Sequence, residues 1–375
     1  MDAACTSPHS DGMTHPLFTP FDLAGLHLPN RIVMAPMTRS FSPGGVPGEN
    51  VADYYARRAA NDVGLIITEG TNPDRQAAGN DPNVPKFYGA GLEGWKRVVA
   101  RVHAEGGRIA PQLWHVGMMR KPGTGHYPDM PSDSPSGLTH TGKAVIDPPT
   151  DKDIDDMVAS FARSAAHAVE AGFDAIEIHG AHGYLIDQFF WDVMNQRDDR
   201  FGGDLTGRST FAADVIRECK RAAGPDTPII LRVSQWKQQD FDAKLSSSPE
   251  AMERWLSVFV DAGVDCLHCS QRRFWEPEFD GSDLNFAGWA KKLTGLPTIT
   301  VGSVGLASDF IGAFAGQGSA TASLDGLVER LERGEFDLVA VGRALLQDPE
   351  WVVKVRDGRE DELRDYDKDA LATLY

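Results

Sequence analysis

From residue 31 onward, short runs of Val, Ile and Leu alternate with longer stretches whose apolar residues recur at helical spacing. Such alternation is the pattern of repeated βα units around a parallel sheet. Eight runs stand out, at residues 31–35, 64–68, 108–113, 175–178, 228–233, 266–269, 298–301 and 338–341, and eight strands close a (β/α)8 TIM barrel. Between them, residues 151–171 place Ile154, Met157, Val158, Phe161, Ala165 and Val169 near one helical face, and 253–262 behaves likewise. The rival α/β architecture, an open doubly wound sheet, announces itself with a G-x-G-x-x-G turn after its first strand. Here that turn reads APMTRS. The spacing therefore predicts a single-domain barrel over residues 16–375, preceded by a flexible N-terminal arm, 1–15. Residues 116–149, rich in Pro, Gly, Ser, Asp and Thr, follow the third run and read as a long excursion over the barrel mouth, a lid and not a separate domain.

Composition narrows the partners. The 375 residues are 41% hydrophobic, enough for a large core, and 37 Lys and Arg against 54 Asp and Glu leave a formal charge of −17. That charge repels phosphate backbones and anionic lipid, and no run of Lys or Arg offsets it, so neither nucleic acid nor membrane is an expected partner. No window reaches the roughly 18 apolar residues of a membrane span, and MDAACTSPHSDGMTH lacks the basic and apolar regions of a signal peptide. Four cysteines, Cys5, Cys219, Cys266 and Cys269, are too few for a secreted disulfide framework, which points to a reducing cytoplasm. Cys266 and Cys269 have C-x-x-C spacing, but on a strand positions three apart face opposite sides, so they read as small buried thiols. No metal site is expected.

In a (β/α) barrel, reactive groups gather where the strands end at their C-terminal side. Those positions are polar here: Pro36, Met37 and Thr38 after the first run; Glu69, Gly70 and Thr71 after the second; Gln112, Trp114 and His115 at the third; His179 and His182 after the fourth; Arg232 in the fifth. By spacing alone, the His pair is open to three readings: a solvent-facing turn, a metal site, or catalysis. A rival reading of Arg232 is a buried salt bridge to a barrel acid such as Glu177. Gly302-Ser303 after the seventh run and Gly342-Arg343 after the eighth suit phosphate, because barrels commonly bind it with these loops and Arg offers a fork matched to its oxygens. The aromatic-basic stretch 271–279, QRRFWEPEF, is expected to lend Phe274, Trp275 or Phe279 to the pocket wall.

The segment HGAHGYLIDQF, 179–189, resembles the signature of the Old Yellow Enzyme family, in which a His, then an Asn or second His three residues on, then a Tyr two further on, form the substrate end of a flavin site. NQRDDRFGGDLTGRSTF is similar to the family's N-x-R-x-D-x-[YF]-G-G stretch, and the likeness runs from LFTPFDLAGLHLPNRIVMAPMTR at Leu17 to VGRALLQDPEW ending at Trp351. The resemblance implies an FMN-dependent ene-reductase: NADPH or NADH reduces the flavin, and an activated alkene conjugated to a carbonyl or nitro group then takes the hydride. It implies that His179 and His182 bind the substrate oxygen and that Tyr184 gives a proton to the α-carbon. Two such imidazoles can aim N–H donors at one oxygen, making the β-carbon accept hydride.

Around the cofactor it implies Ala35, Pro36 and Met37 against the ring, Thr38 near O4, Gly70 where backbone approaches closely, Gln112 at the pyrimidine edge, His179, and Arg232 beside N1 and O2. Reduced flavin carries negative charge there, which a guanidinium stabilises. Gly302, Ser303, Gly342 and Arg343 would take its phosphate, and Trp114 would narrow the pocket. Thr38 and Trp114 together with His182 mix features of different subgroups. Relatives with an added iron–sulfur region carry a further cysteine cluster, absent here, so electrons are expected directly from a nicotinamide. The chain is expected to be a monomer or homo-oligomer. The alternative is a non-redox barrel lyase or isomerase acting on a phosphorylated carbonyl substrate.

Overall fold

Strands buried on both faces have no polar side to present, which is why each apolar run is nearly continuous. In the computed structural model, which describes residues 15–314 and 316–375, all eight runs become barrel strands. A short antiparallel pair, β1 (Phe21–Leu23) and β2 (Leu26–Leu28), precedes them. The barrel comprises β3 (Ile32–Met34), β4 (Leu65–Thr71), β5 (Ile109–Leu113), β6 (Ile176–His182), β7 (Ile229–Lys237), β8 (Cys266–Ser270), β9 (Thr298–Val301) and β10 (Leu338–Val341). Neighbours pair in parallel in chain order, and β10 pairs with β3 to close the ring. The expected arm lies outside the described residues except for His15, whose Nδ1 accepts from the Leu17 backbone at 3.3 Å.

Side-chain alternation along each strand divides the apolar residues into two cores. Val33, Leu65, Ile67, Ala110, Ile230, Cys266 and Ile299 pack inside the barrel, and Leu23 and Leu28 of the β1–β2 hairpin join them as a plug. Ile66, Ile178, Leu231 and Cys269 belong to the larger outer core shared with the helices. Cys266 and Cys269 thus fall on opposite faces, and both are buried free thiols. The expected helix forms over Asp151–Ala171: Thr150 and Asp153 make a reciprocal capping box at its start, and Gly172 in the left-handed region, at φ 90°, ends it. The expected helix at 253–262 forms as Pro249–Ala262.

A repeated carboxylate device pins the N-terminal ends of alternate strands. Asp174, just before β6, accepts from the Ile109 backbone N–H of β5 at 2.8 Å. Asp265, before β8, does the same for Ile229 of β7 at 2.8 Å, and Asp337, before β10, for Thr298 of β9 at 3.1 Å. Each carboxylate also meets a cationic or imidazole side chain from a helix: His103, Lys220 and Lys291 respectively. The device leaves the opposite, C-terminal rim free for other groups. Residues 116–149 leave that rim after β5 and are anchored beside it by Asp133, which bonds Arg75 and His115, and by Arg197, which donates to the carbonyls of Pro135 and Pro149 at 3.0 Å. Each of Asp174→Ala, Asp265→Ala and Asp337→Ala should lower stability by about 1–3 kcal/mol, because each leaves a strand N–H unpaired. Chemical denaturation midpoints of the three variants check this.

Candidate active site at the barrel mouth

A cavity of about 550 Å3 opens at the C-terminal rim, within the size range of cofactor sites. Ala35, Pro36, Met37 and Thr38 just after β3, Gln112 from β5 and Trp114 just after it, His179 and His182 from β6 and Tyr184 just after it, and Arg232 from β7 all line it. Gly302 and Ser303 after β9 and Gly342 and Arg343 after β10 complete the ring. A larger surface groove, about 1790 Å3, is bordered by Arg31 and Asp337, which precede β3 and β10, and holds none of these residues.

Four expected positions lie outside the cavity wall. Phe274 is packed into the outer core, and Trp275 is 39% exposed; neither lines the cavity, because the loop after β8 turns outward. Phe279 packs edge-on against Trp289 instead. Gly70 is needed for a different neighbour from the one expected: a Cβ there would lie 2.4 Å from the Trp114 indole, so its absence makes room for that ring. The excursion 116–149 contributes no residue to the cavity wall, so its position beside the rim is not that of a lid over this space.

The β6 end is built around a bulge. The β6–β7 register shifts between Gly180 and His182, and His182 sits at φ 65°, a left-handed conformation that costs a non-glycine residue on the order of 1 kcal/mol or more. Neighbours hold it there: its N–H donates to Ser234 Oγ at 2.9 Å, its Nε2 meets Ser270 Oγ at 2.7 Å, and its ring stacks on Trp236 with centroids 4.4 Å apart. His179 Nδ1 accepts from the Ala181 N–H at 3.2 Å, which puts the imidazole proton on Nε2. The His179 ring lies 5.1 Å from both the His182 and Tyr184 rings. Tyr184 packs edge-on against Trp114, and its Oη accepts from Gln238 Nε2 at 2.9 Å.

Beneath these rings lies a buried charge system. Glu177 accepts from Gln112 Nε2 at 2.8 Å and pairs with His268 Nδ1 at 2.6 Å. It is thereby committed, and the salt bridge to Arg232 does not form. Arg232 is only 8% exposed, and its Nε has no hydrogen-bond partner among the described residues. Burial first, and then the Arg232 charge, push both His179 and His182 well below the ordinary imidazole value of 6.5. Burial raises the Tyr184 phenol, with Gln238 and Arg232 opposing it. The site therefore presents neutral imidazoles, a protonated phenol and one guanidinium with an unbonded Nε–H. Among the described residues, no group of three or more His, Cys, Asp or Glu is arranged to hold a metal ion.

The fit to a flavin rests on that guanidinium. A buried guanidinium whose Nε–H has no partner calls for an acceptor from a ligand, and the electron-rich edge of a reduced flavin ring supplies it. Gln112, with its amide N–H committed to Glu177, retains Oε1 to accept from a ligand N–H. Toward the phosphate end, Arg343 donates to the carbonyls of Asp309 at 3.0 Å and Ser308 at 2.6 Å, which orients its fork beside Ser303. Gly302 is required by backbone crowding: at φ 145°, its Cβ would lie 2.6 Å from the Gln271 carbonyl.

Several wall residues escape the motif reading. Trp236, Gln238 and Ser270 come from the far ends of β7 and β8, and Phe310 from the segment after β9. Tyr366 and Leu371 come from the C-terminal segment. Arg39 holds that segment by donating to the carbonyls of Ala370, Leu371 and Thr373, at 3.3, 3.3 and 2.7 Å. The Arg39 and Ser40 N–H groups in turn bond Glu69, whose carboxyl burial pushes up to about 7. Only Trp236, an aromatic close behind Arg232, carried a usable signal; the tail contacts carried none.

The depressed imidazoles fix one pH dependence. The unfolded chain takes up protons near 6.5 where the folded site refuses them, so folding stability falls as pH drops below about 6.5. His179→Asn should flatten this decline between pH 7 and 5, as read from thermal midpoints.

Residues 16–362 match the model of the NADH:flavin oxidoreductase / NADH oxidase family. The chain is 34% identical to 12-oxophytodienoate reductase 7 of Oryza sativa over 91% of its length and 88% of the relative's. It is also 34% identical to chanoclavine-I aldehyde reductase of Penicillium roqueforti, over 91% and 89%. Among solved structures, morphinone reductase in complex with tetrahydroNAD superposes with a TM-score of 0.79 at 28% identity, covering 95% of this chain and 93% of that one. These findings make the protein a flavin-dependent oxidoreductase that uses FMN with NADH or NADPH. The chain belongs to the NADH:flavin oxidoreductase / NADH oxidase family, the Old Yellow Enzymes.

Proposed function

We propose that the protein reduces the C=C bond of α,β-unsaturated carbonyl compounds, with nitroalkenes and quinones as related acceptors. The observation that carries this reading is the convergence of the His179 N–H and the Tyr184 phenol, 5.1 Å apart ring to ring, on one cavity. Bound FMN supplies the hydride. Arg232 and Gln112 are the residues to hold its pyrimidine edge, Ala35, Pro36, Met37 and Thr38 its ring, and Ser303, Gly342 and Arg343 its phosphate.

The protein's own groups do the remaining work. His179 Nε2–H donates to the substrate oxygen, and His182 adds a second donor as its ring nitrogen exchanges Ser270 Oγ for that oxygen. Donors fixed in a dry site withdraw electrons from the carbonyl and leave the β-carbon electron-poor. Neutral imidazoles suit this task, since they polarise the oxygen without surrendering a proton to it. Tyr184, kept protonated by burial, delivers its proton to the α-carbon. Trp114, edge-on to Tyr184, limits the width of the acceptor that fits between them.

Protein purified from flavin-replete cells should be yellow, bleach with NADPH or NADH under argon, and regain colour with cyclohexenone. A colourless protein stabilised by a sugar phosphate would contradict this and favour a non-redox barrel. Tyr184→Phe should slow re-oxidation by the enone about 100-fold while slowing flavin reduction far less; stopped-flow absorbance separates the two half-reactions. Arg232→Met should weaken FMN binding and lower the midpoint potential of the bound flavin, because the reduced form loses its cationic partner; spectroelectrochemistry reads the shift.

A further inference from the structure

Gln238 has no part in the signature motif, yet it lines the cavity and donates its amide N–H to Tyr184 Oη at 2.9 Å. The segments bearing the two residues are joined along their whole approach. The Gln238 backbone N–H donates to the His182 carbonyl at 3.3 Å, and Gln239 Nε2 donates to the Gly183 carbonyl at 3.1 Å. Behind them, Lys237 Nζ and Asp187 form a fully buried ion pair at 2.6 Å, and the other Asp187 oxygen accepts from the Gly183 N–H at 2.7 Å. A buried pair of this kind has little freedom to rearrange, since breaking it leaves a charge buried and unpaired. The Tyr184 turn and the Gln238 side chain are thus fixed relative to each other before any substrate arrives.

We infer that Gln238 is a positioning residue for proton delivery: its amide occupies an acceptor site on the Tyr184 oxygen, turns the phenolic proton toward the substrate, and stabilises the charge left on that oxygen. The inference rests on the reading of Tyr184 as the acid. In the step, the Tyr184 O–H bond breaks and its proton forms a C–H bond at the α-carbon, using the electron pair displaced when hydride adds at the β-carbon. The phenolate then recovers a proton from water. A donor to the oxygen strengthens as negative charge develops there, so it favours the product side of the transfer more than the resting phenol. Gln238 and Arg232 act in the same sense against burial, and the other titratable group facing the phenol is His179, held neutral. The Lys237–Asp187 pair is internally compensated.

The test uses flavin-loaded Gln238→Leu, which keeps bulk and removes the donor, beside Tyr184→Phe and wild type, with flavin circular dichroism to check that the site is intact. In Gln238→Leu, the ratio of the enone re-oxidation rate to the flavin reduction rate should fall roughly tenfold, the scale of one hydrogen bond to a developing charge. The alkaline limb of the re-oxidation profile should move to higher pH, because the phenol loses a group that favoured its ionisation, and the solvent deuterium isotope effect should grow. Gln238→Glu, which presents an acceptor once ionised, should be slower than Gln238→Leu above neutral pH. A slower Gln238→Leu with an unmoved alkaline limb and unchanged isotope effect would reduce Gln238 to packing and overturn the inference while leaving Tyr184 as the acid. A Tyr184→Phe enzyme as fast as wild type would overturn both.

Discussion

A buried guanidinium with an unbonded N–H at the mouth of a closed barrel is the constraint around which this site is arranged. Arg232 is buried, Glu177 is already engaged with Gln112 and His268, and the guanidinium Nε has no protein acceptor among the described residues. Its field has two consequences. Added to burial, the larger cause, it holds the neighbouring imidazoles neutral, which makes them donors and not acids, and it favours a ligand that gains negative charge during turnover. Barrel closure makes the arrangement tolerable, because the pairing of β6 with β7 and of β7 with β8 fixes the backbone on both sides of the charge.

The two ends of the barrel divide the labour. At the N-terminal end, carboxylates from three connecting loops hold the first N–H of alternate strands, an arrangement that serves cohesion. At the C-terminal end, strands carry irregularity. A bulge turns His182 into a left-handed conformation, and Ser234, Ser270 and Trp236 together keep it there. Local strain is stable only where surrounding contacts outweigh it. Here the contacts come from two neighbouring strands, so the pose of the paired imidazoles depends on the register of the whole rim.

Much of this architecture is legible in the order of residues alone. Eight apolar runs become eight strands because parallel barrel strands are buried on both faces and cannot hide in an alternating pattern. Fourteen of the proposed site residues line one cavity, since position at a strand end determines which rim a side chain joins. The misses have physical causes. Phe274 and Trp275 follow β8 in the chain, but loop direction, which no periodicity encodes, takes them away from the mouth. Gly70 is a point of close approach, as expected, yet only the packing of side chains reveals that the approaching group is Trp114. The C-terminal residue Leu371 reaches the wall through a carbonyl held by Arg39, and Tyr366 through backbone pairing with Ser319; backbone groups leave no signature in side-chain identity.

The most direct measurement is a crystal structure of the yellow protein as purified. The account requires the pyrimidine edge of FMN against Arg232 and Gln112, its phosphate between Ser303 and Arg343, and His179 and Tyr184 on the exposed face of the ring. A flavin bound in any other cleft, or a ring oriented with Arg232 still facing no electron-rich atom, would contradict it.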